Sequence, residues 1–391
     1  MLILLLLSLA SSNGPSTIPT NIIPEQNYTD ESIYPKVVDV WFMTILVAFF
    51  MMYIKKFEWG VMIAVILSAA TSHITYAFVK NVCMKHEFDA KLATESVCCA
   101  ITCTVTIGIF IGTIKTWQYC IVGVMFALSY LLVEYLVVSG KVIRGVVDPG
   151  CAISIHMMAA YYGLGVACVI REKRVIGVEF KFSTHSVNWI WLGSSLLFIL
   201  WPSFVSLFWR GKAAWTAAIN CLMSGLGSII SAYFMETLIK RGKVDAFVYA
   251  VALLAGCVGT SSALFMLTPW SSLLIGVICG CFSVCSFNYL HNPFTNMLGI
   301  NDVMGAHNLH GICSWLSVII CAFTLFIKKF PPQWTVAAAI VSFAVSSICG
   351  LITGVVLRFT KGKEIPDSEF MMDNAIFLFP HETELDWPPK E

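Results

Sequence analysis

The chain has 391 residues, of which 58% are hydrophobic and 12% charged, and a formal net charge of +1; its mean hydropathy is +0.80. A soluble domain of this size carries about a quarter charged residues, so the composition excludes an ordinary water-soluble protein and implies an all-α polytopic membrane protein. The near-neutral charge gives no sign of nucleic-acid binding. The 15 Cys have neither zinc spacing nor a secreted disulfide framework, and in runs such as Cys98-Cys99 and Cys279–Cys285 they read as small buried hydrophobes.

Met1–Ala10 is apolar but too short to span, and small residues with Gly14 follow. Segment 1–14 reads either as a signal peptide lacking a basic start or as a partial helix at the membrane edge. Segment 15–36 is polar and carries a glycosylation sequon at Asn27, which places it outside the cell. Runs long enough to cross a bilayer then fall at about 37–54, 60–79, 93–114, 117–139, 149–170, 187–209, 213–236, 246–267, 269–290, 304–327 and 333–357. Breaks on one side are richer in Lys and Arg (Lys55-Lys56, Lys115, Arg171–Arg174, Lys240–Lys243, Arg358–Lys363). That bias predicts an external N-terminus and a cytoplasmic C-terminus in the cell membrane. One transmembrane domain over 37–360 and a cytoplasmic tail over 361–391 are expected.

Ten of the eleven spans divide into two sets of five. An odd number per set inverts the second set relative to the first, and sites in such folds lie near the midplane between repeats. His156 falls on the fifth span of the first set and His310 on the fifth of the second. The two imidazoles are therefore expected to meet. Burial disfavours the charged imidazolium, so both rings are expected neutral, each with one donor and one acceptor nitrogen. They would form a polar ledge in an apolar conduit, able to bond a small neutral molecule. A bare cation would face a Born cost on the order of tens of kcal/mol there. The competing reading is two histidines that merely bond neighbouring helices.

His307, at i−3 from His310, reads as lining an entrance, as a surface hydrogen-bonding residue, or as half of a metal face with Asp302, although no full ligand set is evident. Glu134 ends the fourth span and reads as an acid that concentrates cations. Asp148, in Asp-Pro-Gly ahead of the fifth span, reads first as a helix cap. Asp245 opens the eighth span. Trp201-Pro202-Ser203-Phe204 interrupts the sixth, where a kink would aim Phe204 at the axis as a gate, or Phe204 is a packing aromatic.

Several stretches resemble the Rh glycoproteins, the animal-type branch of the ammonium transporter (Amt/Rh) superfamily. They are N-L-H-G at 308–311, D-x6-I-H-x3-A-Y-Y-G-L at 148–164, W-P-S-F at 201–204, A-A-I-N at 217–220 and G-K-V-D at 242–245, in order over nearly the whole chain. The resemblance implies eleven or twelve helices as two inverted repeats plus a C-terminal helix, a homotrimer with one pore per subunit, no cofactor, and passage of ammonia and, as further permeants, methylamine and CO2. It implies that His156 and His310 are twin pore histidines, that Asp148 supports the pore, that Phe204 is one gate phenylalanine, and that Glu134 and Asp245 are vestibule acids. Departures stand beside it. Cys98 falls where the second gate phenylalanine belongs, Cys313-Ser314 replaces Pro-Gly after His-Gly-Ile, and about three extra residues lie between Glu134 and Asp148. The blood-group branch lacks the twin histidines, so their presence favours transport over the alternatives of an ammonium sensor or non-conducting partner subunit. An intramembrane metalloenzyme using His307 and His310 is the third class.

Overall fold

The computed structural model describes residues 33–54, 56–178 and 184–378. Among them are eleven helices long and apolar enough to cross a membrane, and no strand. The expected signal peptide or partial helix at 1–14, the Asn27 sequon and tail residues 379–391 lie outside the described residues.

The spans are Tyr34–Met51, Trp59–Cys83, Ala90–Ile107, Gln118–Val138, Ala152–Ile170, His185–Val205, Gly211–Ile239, Ala246–Ala263, Pro269–Leu298, His307–Ile327 and Gln333–Thr360. They start where local chemistry predicts. Asp89 accepts the Leu92 N–H at 2.9 Å ahead of the third span. Asp245 accepts those of Phe247 and Val248 at 3.0 and 3.1 Å ahead of the eighth. Thr268 and Ser271 form a capping box with Pro269 at the first helical turn of the ninth. The sixth span is not interrupted at Pro202, as expected above, but runs through it and ends three residues later at Val205. Pro202 has no N–H to bond the Phe198 carbonyl and its ring crowds that group, and the helix stops within one turn of it. Leu238, Phe323 and Phe359 project outward and exposed, which suits lipid rather than water.

The contacts repeat with inverted symmetry. The second span packs on the fourth as the seventh packs on the ninth, and the first packs on the sixth, its own counterpart. π turns recur at matching places: Glu134–Val138 and Ser286–Leu290 on the fourth and ninth spans, Ala152–Met157 and His307–Gly311 opening the fifth and tenth. The eleventh span belongs to neither set and lies along the fifth, where Gly165 faces the Ser347 and Leu351 backbone. Close approach through small residues drives helix association in lipid, where apolar side chains gain little by pairing.

Beyond the eleventh span the chain folds back. Arg174 stacks on Phe370, 3.8 Å from the ring centre. The Asp373 carboxylate accepts the backbone N–H groups of Glu58, Trp59 and Gly60 at 3.0, 3.1 and 2.7 Å, capping the second span from the far end of the chain.

Candidate functional site

Two π turns build the centre of the molecule. Each follows an aspartate standing eight residues before a histidine: Asp148 before His156, Asp302 before His310. Asp148 accepts the N–H groups of Ile153 and Ser154, each at 3.0 Å, and the hydroxyls of Ser154 and Ser262 at 3.0 and 2.9 Å. Asp302 accepts the N–H groups of Ala306 and His307 at 3.0 and 2.8 Å. Three residues after each aspartate the backbone turns left-handed, at Cys151 (φ 65°) and Gly305 (φ 63°). A carboxylate on the free N–H groups of a helix start neutralises donors that would otherwise be orphaned at membrane depth. The wide i→i+5 turn then re-aims the side chains, as π turns at functional sites commonly do.

The rings of His156 and His310 meet. Their Nδ1 atoms are 3.1 Å apart, and the ring centroids 5.1 Å apart with the planes at 20°. The residues are 3% and 7% exposed. A single N–H···N bond satisfies this contact only if one Nδ1 carries a proton and the other is bare. Two imidazolium rings would set donor against donor.

Beside the pair lies a cavity of about 60 Å³, lined by both histidines and by apolar groups including Val47, Ile155, Leu197, Trp201, Phe204 and Leu254. That volume holds a short file of water-sized molecules, since about 10–15 Å³ suffices for one. Trp201 stacks on His156 at 5.7 Å, and Phe204 meets the same ring edge-on at 6.1 Å. His156 Nε2 and Trp201 Nε1 are buried without a hydrogen-bond partner among the described residues. An unsatisfied buried polar atom costs about 1–3 kcal/mol, so each favours a small hydrogen-bonding guest.

The remaining candidates are distributed around this centre. Cys98 is buried and does not share a cavity with Phe204. It lines a larger one of about 490 Å³ with Glu134, Asp148 and Ser154. Glu134 is paired: Lys80 Nζ stands 3.0 Å from its carboxylate, and the Tyr76 hydroxyl donates to it at 2.9 Å. Asp245 is engaged as the cap described above. His307 does not turn toward His310. Its ring stacks on Phe294 at 4.4 Å, with Nε2 3.4 Å from the Tyr161 hydroxyl. No three metal-ligating side chains gather anywhere among the described residues.

Sequence reasoning did not assign Asp302 its bracing position, nor Trp201 its stacking one. The equal eight-residue spacing before His156 and His310 was the available signal for Asp302. Nothing local pointed to Lys80.

The fold and site can be set beside known proteins. An ammonium transporter Rh type A of Bos taurus is 30% identical over 297 residues, 73% of this chain and 68% of that one. The Rh type A protein of Canis lupus familiaris is 31% identical over 387 residues, 94% and 92% of the two chains. Among solved structures, the Nitrosomonas europaea channel Rh50 shares the fold with a TM-score of 0.83 at 22% identity, covering 90% of this chain and 93% of that one. A sensor Amt protein does so with a TM-score of 0.75 at 16% identity, covering 88% and 96%. Residues 1–373 match the Ammonium Transporter Family, and the chain belongs to it.

Proposed function

We propose that this protein, of Rh type, moves ammonium nitrogen across the bilayer as neutral ammonia, by way of the cavity beside His156 and His310. The observation that carries the reading is the Nδ1–Nδ1 contact, a two-ring polar ledge inside an otherwise apolar cavity. An ammonium ion gives its proton to water near Asp148 or Phe204 before this point, because a bare cation in apolar surroundings faces a cost on the order of tens of kcal/mol. The ammonia takes one up from water near Asp245 on the far side. Sodium and potassium have no proton to lose and are refused on the same ground. Ammonia, once inside, finds donors and acceptors on the free ring nitrogens and on the Trp201 indole.

Phe204, edge-on to His156, narrows the cavity and serves as the gate; Cys98 borders the larger cavity beyond it. Asp148 supports the pore by holding the turn that carries His156. The proposal places segment 37–360 in the cell membrane as the transporting unit, with the N-terminus outside and 361–391 as a cytoplasmic tail. It includes assembly as a homotrimer and methylamine and CO2 as further permeants. It makes the chain a transporter rather than an enzyme.

Uptake of ammonia or methylamine into proteoliposomes tests the reading. Flux above protein-free vesicles is expected, with loss in His156→Ala and in His310→Ala. Flux that survives both substitutions unchanged removes the histidine pathway. A sensor remains the second reading, favoured by the docking of Asp373 and Phe377 against the start of the second span. Absence of flux together with a protein that binds the tail would select it.

A further inference from the structure

The cavity that holds Glu134 already contains an amine. Lys80 Nζ lies 3.0 Å from Glu134 Oε1 and Oε2 and 3.5 Å from Glu95 Oε2. The Tyr76 hydroxyl sits between the carboxylates, 2.9 Å from Glu134 Oε2 and 3.2 Å from Glu95 Oε2. The Tyr76 ring centroid is 5.4 Å from the lysine nitrogen. The Lys80, Glu95 and Glu134 side chains are 12%, 14% and 17% exposed, so the group is largely enclosed. Its cavity also reaches Cys98, Asp148 and Ser154, and through Ser154 the turn that carries His156. Lys80 and Glu134 both sit on π turns, Val79–Cys83 and Glu134–Val138.

The ε-ammonium of lysine is chemically an alkylammonium ion on a tether, with three N–H donors and one positive charge. A carboxylate pair with a phenol between them and an aromatic face nearby matches that ion. It matches free ammonium and methylammonium equally well. We propose that Lys80 is a tethered competitor: its amine occupies a Glu95–Glu134 cation site that would otherwise take ammonium or methylammonium ahead of the paired histidines. This rests on the transport reading above.

The tether decides the competition. A group on a short flexible linker meets its site at an effective concentration on the order of millimolar or more. Free substrate has to exceed that to displace it. Without Lys80 the two carboxylates would share only the Tyr76 proton, with Lys91 at 3.8 Å from Glu95 and 47% exposed. Two like charges this close do not both stay uncompensated, and they draw a cation or a proton. The acid pair thus becomes a recruiting site only when the lysine leaves it, and Lys80 sets the concentration range over which the protein responds to its substrate.

The test compares wild type with Lys80→Met, Lys80→Gln and Lys80→Arg. Methylammonium uptake into proteoliposomes is measured against concentration. Thermal unfolding in detergent is measured against methylammonium chloride, with sodium chloride as the matched control. In Lys80→Met the half-saturating concentration is expected to fall about ten-fold or more with maximal flux within about two-fold, and the thermal response to shift to lower methylammonium by the same factor. Lys80→Arg, which keeps a cation in place, should retain the wild-type values. Lys80→Gln keeps hydrogen bonding to the carboxylates without the charge and should follow Lys80→Met; it decides the matter if the methionine variant does not fold. Adding Glu134→Gln to Lys80→Gln should reverse the gain. An unchanged or higher half-saturating concentration and thermal midpoint in the uncharged variants overturns the proposal. Absence of uptake in every form, with a tightened thermal response in Lys80→Gln, overturns the transport reading instead and leaves the cation site standing.

Discussion

Asp148 and Asp302 hold equivalent places in the two halves of the fold: each carboxylate closes the start of a π turn, and each precedes one of the paired histidines by eight residues. The Nδ1–Nδ1 contact therefore depends on two braces that touch neither ring. Asp148→Ala removes an acceptor for two backbone N–H groups and two hydroxyls, and Asp302→Ala one for two backbone N–H groups. Each leaves buried donors unpaired, so each is expected to destabilise the protein by about 2–5 kcal/mol. Thermal unfolding in detergent checks this, and wild-type melting in both variants would show that the carboxylates do not hold the turns.

The fifth and eleventh spans meet through glycine. A Cβ at Gly165 would lie 2.5 Å from the Ser347 carbonyl oxygen and 2.9 Å from the Leu351 nitrogen. Both are backbone atoms of a long helix and cannot swing aside as a side-chain tip can. Gly165→Ala is expected to lose about 1–3 kcal/mol through overpacking. The readout is the yield of folded protein and its melting temperature, and a gain in stability, as an unhindered helical glycine would give, contradicts the packing described.

The Asp373 carboxylate caps three N–H groups on the opposite end of the chain. Asp373→Ala should cost about 0.5–2 kcal/mol of local stability, the range of a lost helix cap. The effect should be confined to the fold-back. Limited proteolysis is expected to cut within 361–378 faster than in wild type, while the melting of the helical bundle changes little. Equal cleavage rates would show that the segment is held by other contacts.

Docking of the same segment should depend on pH. Hydrogen bonding to Arg174, with Lys361 nearby, holds the Glu172 carboxyl below its usual value of 4.5. A depressed carboxylate contributes stability that is complete above its unfolded pKa and is lost as the pH falls through the folded one. Arg174 also reaches the Ile365 carbonyl at 2.8 Å and the Asp367 carboxylate at 3.0 Å, so losing the anchored guanidinium loosens 365–370. Hydrogen exchange over 361–378 should be constant from pH 7 to about 5, after correction for the intrinsic rate, and increase below about 4.5. Protection that persists into strong acid would exclude Glu172 as the anchor.

The contrast between what was legible in the chain and what was not has a physical basis. Apolar runs ended by Lys and Arg had to become spans, because water and lipid sort them one residue at a time. The inverted arrangement followed from counting those spans, since parity alone decides whether two repeats run in opposite directions, and it put His156 and His310 at equivalent places in the two halves. The asparagine-to-glycine run at 308–311 and its partner at 148–164 carried the family in local spelling.

Only the tertiary structure decided how the charges pair. Glu134 reads from the chain as an open acid for cations, yet Lys80, 54 residues earlier, is folded against it. Asp245 and Asp302 are engaged by backbone donors close in sequence, but which donors are free depends on where each helix starts. Phe204 and Cys98 border separate cavities, and His307 turns to Phe294 rather than to its neighbour three residues on. Asp373 finds its partners more than three hundred residues away. Hydropathy acts on each segment alone and is written in order along the chain. An ion pair or a cap needs two groups within about 3 Å, and that distance is created by packing.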